Sequence, residues 1–236
     1  MNWAKHWEKF WEAIQSEKNQ QLIIKGLNNT LLIAILGLVI GIIIGTVIAV
    51  IKVAPKYKRT LRIFDKICTG YVAVFRGTPI VVQLLVAYYV LLPVFGIKGV
   101  ESIVVGIIVF GLNSAAYVSE IMRGGLNSVD KGQLEAGRAL GLDYKTTLIK
   151  IIIPQAIKNI LPTLGNEFIS LIKETSVVSF ITVVDLYTAF YTIGSNDYAV
   201  VIPYICMALI YIVLVVIITL LIKLMEKGLA KSDRSN

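Results

Sequence analysis

The first question is posed by a handful of charged and amide-bearing residues set in an otherwise apolar chain. Glu167, Ser170 and Glu174 recur at helical spacing and share one face, with Asn166 and Lys173 close beside it. Upstream, Arg76 interrupts an apolar stretch within "RGTP", and Asn113, Tyr117 and Glu120 add polar groups to another. Such residues in greasy surroundings can line a cavity or pathway, where an intramembrane charge is chiefly retained. They can also pair with one another, Lys173 or Arg76 neutralising a glutamate and holding helices in register. Both readings stand for Glu167 and Glu174. Glu120, near the end of its apolar stretch, is expected to pair with Arg123.

Several kinds of chemistry are excluded at once. His6 is the single histidine, which removes zinc motifs of the HExxH type and any Ser-His pair elsewhere. There is no GxxxxGK[ST] phosphate loop, so ATP is not bound here in the usual way. Asp185 has no evident intramembrane aspartate partner, and an intramembrane enzyme lacks its constellation. Cys68 and Cys206 fall in apolar sequence, which argues against a structural disulfide or a reactive thiol. No metal site and no catalytic residue is expected.

The elements that must position the polar residues are membrane spans. The 236-residue chain is 56% hydrophobic and only 16% charged, against about 25% charged in a soluble domain. Its mean hydropathy is +0.77. Residues 26–51 and 199–222 carry no charge, and each exceeds the ~20 apolar residues needed to cross a bilayer. Further spans are read near 67–92, interrupted by "RGTP", and near 102–121. A fourth follows Pro154 despite Lys158, Glu167, Lys173 and Glu174. The fold expected is all-α and polytopic, with five transmembrane helices. Gly37, Gly41 and Gly45 form a small-residue stripe along the first span, and Gly111, Ala115 and Ser119 another, as close helix packing in lipid requires.

The ends are different. Trp3, Trp7 and Trp11 share a helix face with Phe10 and Ile14, opposite Lys5, Glu8, Lys9 and Glu12. Residues 1–25 are therefore an amphipathic helix, either lying in the lipid interface or packed on the protein's own helices. Residues 26–225 form the membrane domain and 226–236 a tail. The formal net charge is +8. It arises from basic connectors at 52–66 and 123–150 and from the tail, which points to positive loops on the cytoplasmic side and not to nucleic acid. With five spans the N-terminus is outside and the C-terminus inside.

Between two spans lies a compact charged segment, 129–154, containing "EAGRALGLDYKTTLIKIIIP". Lys131–Leu140 suits a short helix, and Gly141 stands where a left-handed terminating residue belongs. Asp143 can cap a second short helix running through Lys150, and Pro154 is expected to break or redirect the chain. Ala136, Gly137 and Ala139 keep one face small. This is a helical knuckle on the cytoplasmic face, suited to docking a partner.

The knuckle resembles the "EAA" loop of bacterial ABC importer permeases: EAA, three residues, Gly, nine residues, then Ile-x-Leu-Pro. Here the pattern reads Glu135, Ala136, Gly137, Gly141, Ile151, Ile153 and Pro154, with Gly137 for Ala and Ile153 for Leu. "FRGTPIVVQLL", "NSAAYVSEIMRGGLNSVDKGQLEAGRALGL" and "NEFISLIKETSVVSFI" look like the polar amino acid subfamily. The resemblance covers most of the chain except its N-terminal helix and tail.

What the resemblance implies is a type I permease subunit in a prokaryotic cell membrane, a transporter component and not an enzyme. Glu135, Ala136, Gly137, Leu140, Gly141 and Leu142 would make the coupling contact with a separate ATPase dimer, which binds the ATP and Mg. A second permease, identical or related, and an extracytoplasmic amino-acid-binding protein would complete the assembly. For an amino acid substrate, Glu120, Glu167 or Glu174 could meet the ammonium group and Arg76 or Lys173 the carboxylate. Three glutamates lean toward a cationic substrate, with glutamine as an alternative. A channel or membrane scaffold would explain the spans but not the spaced coupling motif.

Overall fold

The computed structural model describes residues 3–54, 56–196 and 201–234. Helix α1 (Trp3–Gln15) is short, and α2 (Glu17–Val53) follows after a single residue. Residues 17–25 thus begin the first span and do not extend the amphipathic helix. Next come α3 (Arg59–Gly77), α4 (Ile80–Val86), a π turn (Ala87–Leu91), α5 (Leu92–Val94) and α6 (Ser102–Asn127). The knuckle comprises α7 (Gly132–Ala139) and α8 (Tyr144–Thr147). A second π turn (Leu148–Ile152) leads into α9 (Ile153–Glu174), then a 3₁₀ segment (Thr175–Ile181), α10 (Leu186–Asn196) and α11 (Val201–Arg234).

Three of these helices are long and apolar enough to cross a membrane, namely α2, α6 and α11 as far as Gly228. Two bent pairs raise the count to five if each is one span. The first is α3 with Ile80–Val94, bent by 106°, and the second is Tyr144–Ile181 with Leu186–Ser195, bent by 56°. The basic connector is largely helical, because Arg59, Arg62 and Lys66 already belong to α3. The tail is a continuation of α11 through Arg234.

The core is the pair α2 and α6, which run side by side in the same direction: Gly37 meets Phe110, Gly41 meets Ser114 and Gly45 meets Val118. A β-carbon on Gly41 would lie 2.7 Å from Ser114 Oγ, so the small stripe is what lets the backbones approach. Ile33, Leu84, Phe110, Leu171, Ile172 and Val178 fill the layer around this seam. Helix α9 returns antiparallel, with Ser114 opposite Glu167 and Ser128 opposite Asn159. The basic end of α2 and the knuckle consequently lie at the same end of the bundle.

At the other end, Phe10 of α1 is buried with Leu186, Phe190, Ile193 and Ile202. Trp7 and Trp11 are about half exposed on the same helix. The helix is therefore pinned to the bundle through Phe10 while its indoles face outward; the side chains of Trp3 and Lys5 lie outside the described residues. Helix α10 is an element the sequence reading passes over. Its start is capped by buried Asp185, which accepts from Thr188 N at 2.9 Å and Thr188 Oγ1 at 2.6 Å.

Candidate translocation pocket and coupling element

The pocket begins at the elbow between α3 and α4. Within a helix the Phe75 carbonyl would accept from residue 79, but Pro79 has no N–H to give. Two side-chain amides replace it: Gln83 Nε2 donates to Phe75 O at 2.9 Å and Asn113 Nδ2 at 3.3 Å. The Gln83 nitrogen also reaches Thr78 O at 3.0 Å and Thr78 Oγ1 at 2.9 Å. Its oxygen accepts from Asn113 Nδ2 at 3.0 Å. The sequence reading places Asn113 among the pathway residues and misses Gln83. The available signal was a carbonyl four residues ahead of a proline, with an amide side chain four residues beyond it.

This elbow presents Arg76 to solvent, its guanidinium 5.2 Å from the centre of the Tyr117 ring. A pocket of ≈ 310 Å³ lies there, lined by Arg76, Thr78, Asn113, Tyr117 and Glu174 among others. A second, of ≈ 410 Å³, is lined by Arg76, Tyr117, Glu120, Ser128, Asn159 and Thr163. The stacked Arg76 and Tyr117 side chains are common to both. The first pocket also takes in Glu174, and the second extends to Ser128 and Asn159.

The other acidic residues have different settings. Glu120 is held by Lys52 at 2.5 Å and by Arg123 at 2.6 Å, so two cations already compensate it. Glu167 accepts from Ser114 Oγ at 2.9 Å and is not among the residues lining either pocket. Ser170 is half-buried, while Asn166 and Lys173 are exposed. The two glutamates of that helical face therefore have different settings: Glu167 meets Ser114 of α6, and Glu174 is exposed at the pocket that Arg76 also lines. Among the described residues, no cluster of three or more His, Cys, Asp or Glu could hold a metal ion.

The knuckle is built by local rules. Helix α7 ends in a paired motif in which Gly141 N donates to Arg138 O and Leu142 N to Gly137 O, both at 3.0 Å. Gly141 has φ +76°, the left-handed conformation that this ending requires. Asp143 then caps α8, accepting from Thr146 N at 3.4 Å, and its hydrogen bonding to Thr146 holds the carboxyl below its ordinary range. Pro154 does not break or redirect the chain. The preceding π turn shifts the hydrogen-bond register, with Ile153 N donating to Leu148 O, and Pro154 follows as the second residue of α9 without interrupting the helical run. Helix α8 accordingly ends at Thr147 and not at Lys150. Glu135, Ala136, Leu140, Gly141 and Leu142 are all exposed, Leu140 by 79%. Gly137 alone of the coupling set is buried, against Thr147.

Comparison with known proteins adds to this geometry. Residues 37–231 match the family described as binding-protein-dependent transport system inner membrane component. The chain belongs to that family. This inner membrane component is the permease subunit of an ABC importer, and the hydrolytic subunit is a separate chain. It is 40% identical over 211 residues to the arginine transport system permease protein of Bacillus subtilis, covering 89% of this chain and 94% of that one. To the putative glutamine transport system permease protein of Rickettsia conorii it is 38% identical, covering 87% and 91%. Among solved structures, a chain of an amino acid ABC transporter described as crystallised with histidines superposes with TM-score 0.81 at 40% identity, covering 89% and 95%. A methionine ABC transporter chain, inward facing, matches at TM-score 0.75 and 17% identity, which speaks to the fold alone. This inner membrane component therefore has the all-α, multi-span architecture of its family.

Proposed function

We propose that the chain is the translocating subunit of an importer for polar amino acids, with cationic amino acids favoured and glutamine the nearest competitor. One observation carries the reading: Arg76 and Glu174 face the same ≈ 310 Å³ pocket, and neither forms a salt bridge among the described residues. A guanidinium and a carboxylate held apart in one cavity are complementary to the carboxylate and ammonium of a zwitterion. The volume falls at the small end of the ~300–1,000 Å³ typical of small-molecule sites. The arginine and glutamine named for relatives support the same class.

The exposed knuckle supports the partner reading. Glu135, Ala136, Leu140, Gly141 and Leu142 would seat in a cytoplasmic ATPase dimer that carries ATP and Mg, while a second permease copy or a related permease packs alongside. An extracytoplasmic amino-acid-binding protein would deliver the substrate to the opposite end.

The test is ATPase activity and uptake by the reconstituted complex with its binding protein, screened with arginine, lysine, histidine and glutamine. Stimulation by at least one of them is expected. A complex that holds its ATPase and responds to none would overturn the amino acid reading.

A further inference from the structure

We infer that Gln83 is a positioning residue for substrate capture, acting through Arg76; this rests on the amino acid reading above. Gln83 is half-buried and is not among the residues lining the Arg76–Glu174 pocket, so it is not placed to touch a solute there. What it touches is the backbone that carries Arg76. The carbonyls on both sides of that residue, Phe75 and Thr78, accept from its amide nitrogen at 2.9 and 3.0 Å. Its oxygen is fixed by Asn113, itself 4% exposed in the central helix α6.

The amide orientation follows from the partners. Phe75 O and Thr78 O can only accept, so the Gln83 group facing them must be the NH₂. Its oxygen is then left for the Asn113 NH₂, which is also directed toward Phe75 O. The bonds lock one geometry: α3 is stopped at Gly77, α4 leaves near a right angle, and Arg76 is swung over Tyr117 in the pocket that Glu174 also lines. Pro79 makes the lock necessary, because it withholds the backbone donor that would otherwise complete the turn.

Gln83→Glu keeps the shape of the side chain but sets a carboxylate oxygen against two carbonyls. Losing these bonds should raise the half-saturating amino acid concentration about 5- to 10-fold, with a smaller change in maximal uptake. The decisive comparison is a double-mutant cycle with Arg76→Ala, measured on the reconstituted complex with arginine and glutamine as probes. If Gln83 acts through Arg76, Gln83→Glu adds no further shift once Arg76 is alanine. Independent, multiplying effects would overturn the inference, as would lower thermal stability and maximal uptake with an unchanged half-saturating concentration. Should Gln83→Glu fail to assemble, Gln83→Met, similar in length and uncharged, takes its place in the cycle. A wild-type complex that imports neither probe would instead refute the amino acid reading on which the inference stands.

Discussion

Gly137 sits so close to Thr147 that a β-carbon on the glycine would lie 2.6 Å from both the threonine methyl and its hydroxyl. Thr147 is fully buried, and its hydroxyl donates to the Asp143 carbonyl at 3.1 Å, so it has little room to yield. The glycine at the third position of the knuckle motif is thus matched to a residue ten positions later. Gly137→Ala should lower the stability of the knuckle by about 1–3 kcal/mol through overpacking. Adding Thr147→Ala should restore most of it. Thermal denaturation of the solubilised chain and ATP-driven uptake measure this, and a single mutant as stable as wild type would refute the match.

At Gly141 the constraint is backbone conformation and not space. No atom lies within 4 Å of where a β-carbon would stand, yet φ is +76°. Gly141→Leu should cost the hairpin about 1–2 kcal/mol and abolish ATP-driven uptake by disturbing the docking surface. Gly141→Asn, which tolerates the left-handed region better, should retain more uptake. Equal uptake in wild type and Gly141→Leu would sink the argument.

The paired cations on Glu120 favour a role in holding helices, although it also lines the second pocket. Lys52 ends α2, and Arg123 lies three residues on along α6. Removing the charge leaves two partly buried cations facing each other. Allowing for partial exposure, Glu120→Gln should destabilise by about 1–2 kcal/mol, with the ratio of arginine to glutamine uptake unchanged. A shift in that ratio would return Glu120 to the substrate pathway.

Orientation is tested by labelling. The basic end of α2 and the knuckle share one end of the bundle, which the positive-inside rule makes cytoplasmic. In a background lacking Cys68 and Cys206, a cysteine at Ser128 should resist an impermeant reagent on intact cells, whereas one at Ser195 should react. The reverse pattern would invert the topology.

The spans and the knuckle were legible because their causes are local. Uncharged runs mark α2 and α11, and Gly141 and Asp143 announce an ending and a start through their own backbones. The small-residue stripes were legible as packing surfaces for the same reason. Other features depend on atoms distant in sequence. Pro154 reads as a break until a π turn absorbs it, and no residue type signals such a turn. Helix α10 is hidden because its buried face, Leu186, Phe190 and Ile193, meets Phe10 from the far N-terminus. Helical spacing put Glu167 and Glu174 on one face, but Ser114 from α6 holds Glu167, while the pocket that Glu174 lines is made with residues of α3 and α6.

That division yields the last prediction. Glu174 shares its pocket with Arg76, whereas Glu167 accepts from Ser114 across the α6–α9 seam. Glutamine at 167 retains an oxygen that can accept the same bond, so Glu167→Gln should change substrate preference less than Glu174→Gln does. Glutamine at 174 removes the one carboxylate facing the pocket, and with it the attraction for an ammonium or guanidinium. Glu174→Gln should therefore raise the half-saturating concentration of arginine several-fold more than that of glutamine. Expression should remain near normal, because no salt bridge among the described residues is lost. Uptake of both amino acids by the two variants, side by side, decides the matter. Equal loss for arginine and glutamine in Glu174→Gln would count against selection by charge, and a larger arginine-specific shift in Glu167→Gln would move the selective carboxylate about two helical turns along α9, to the seam with α6.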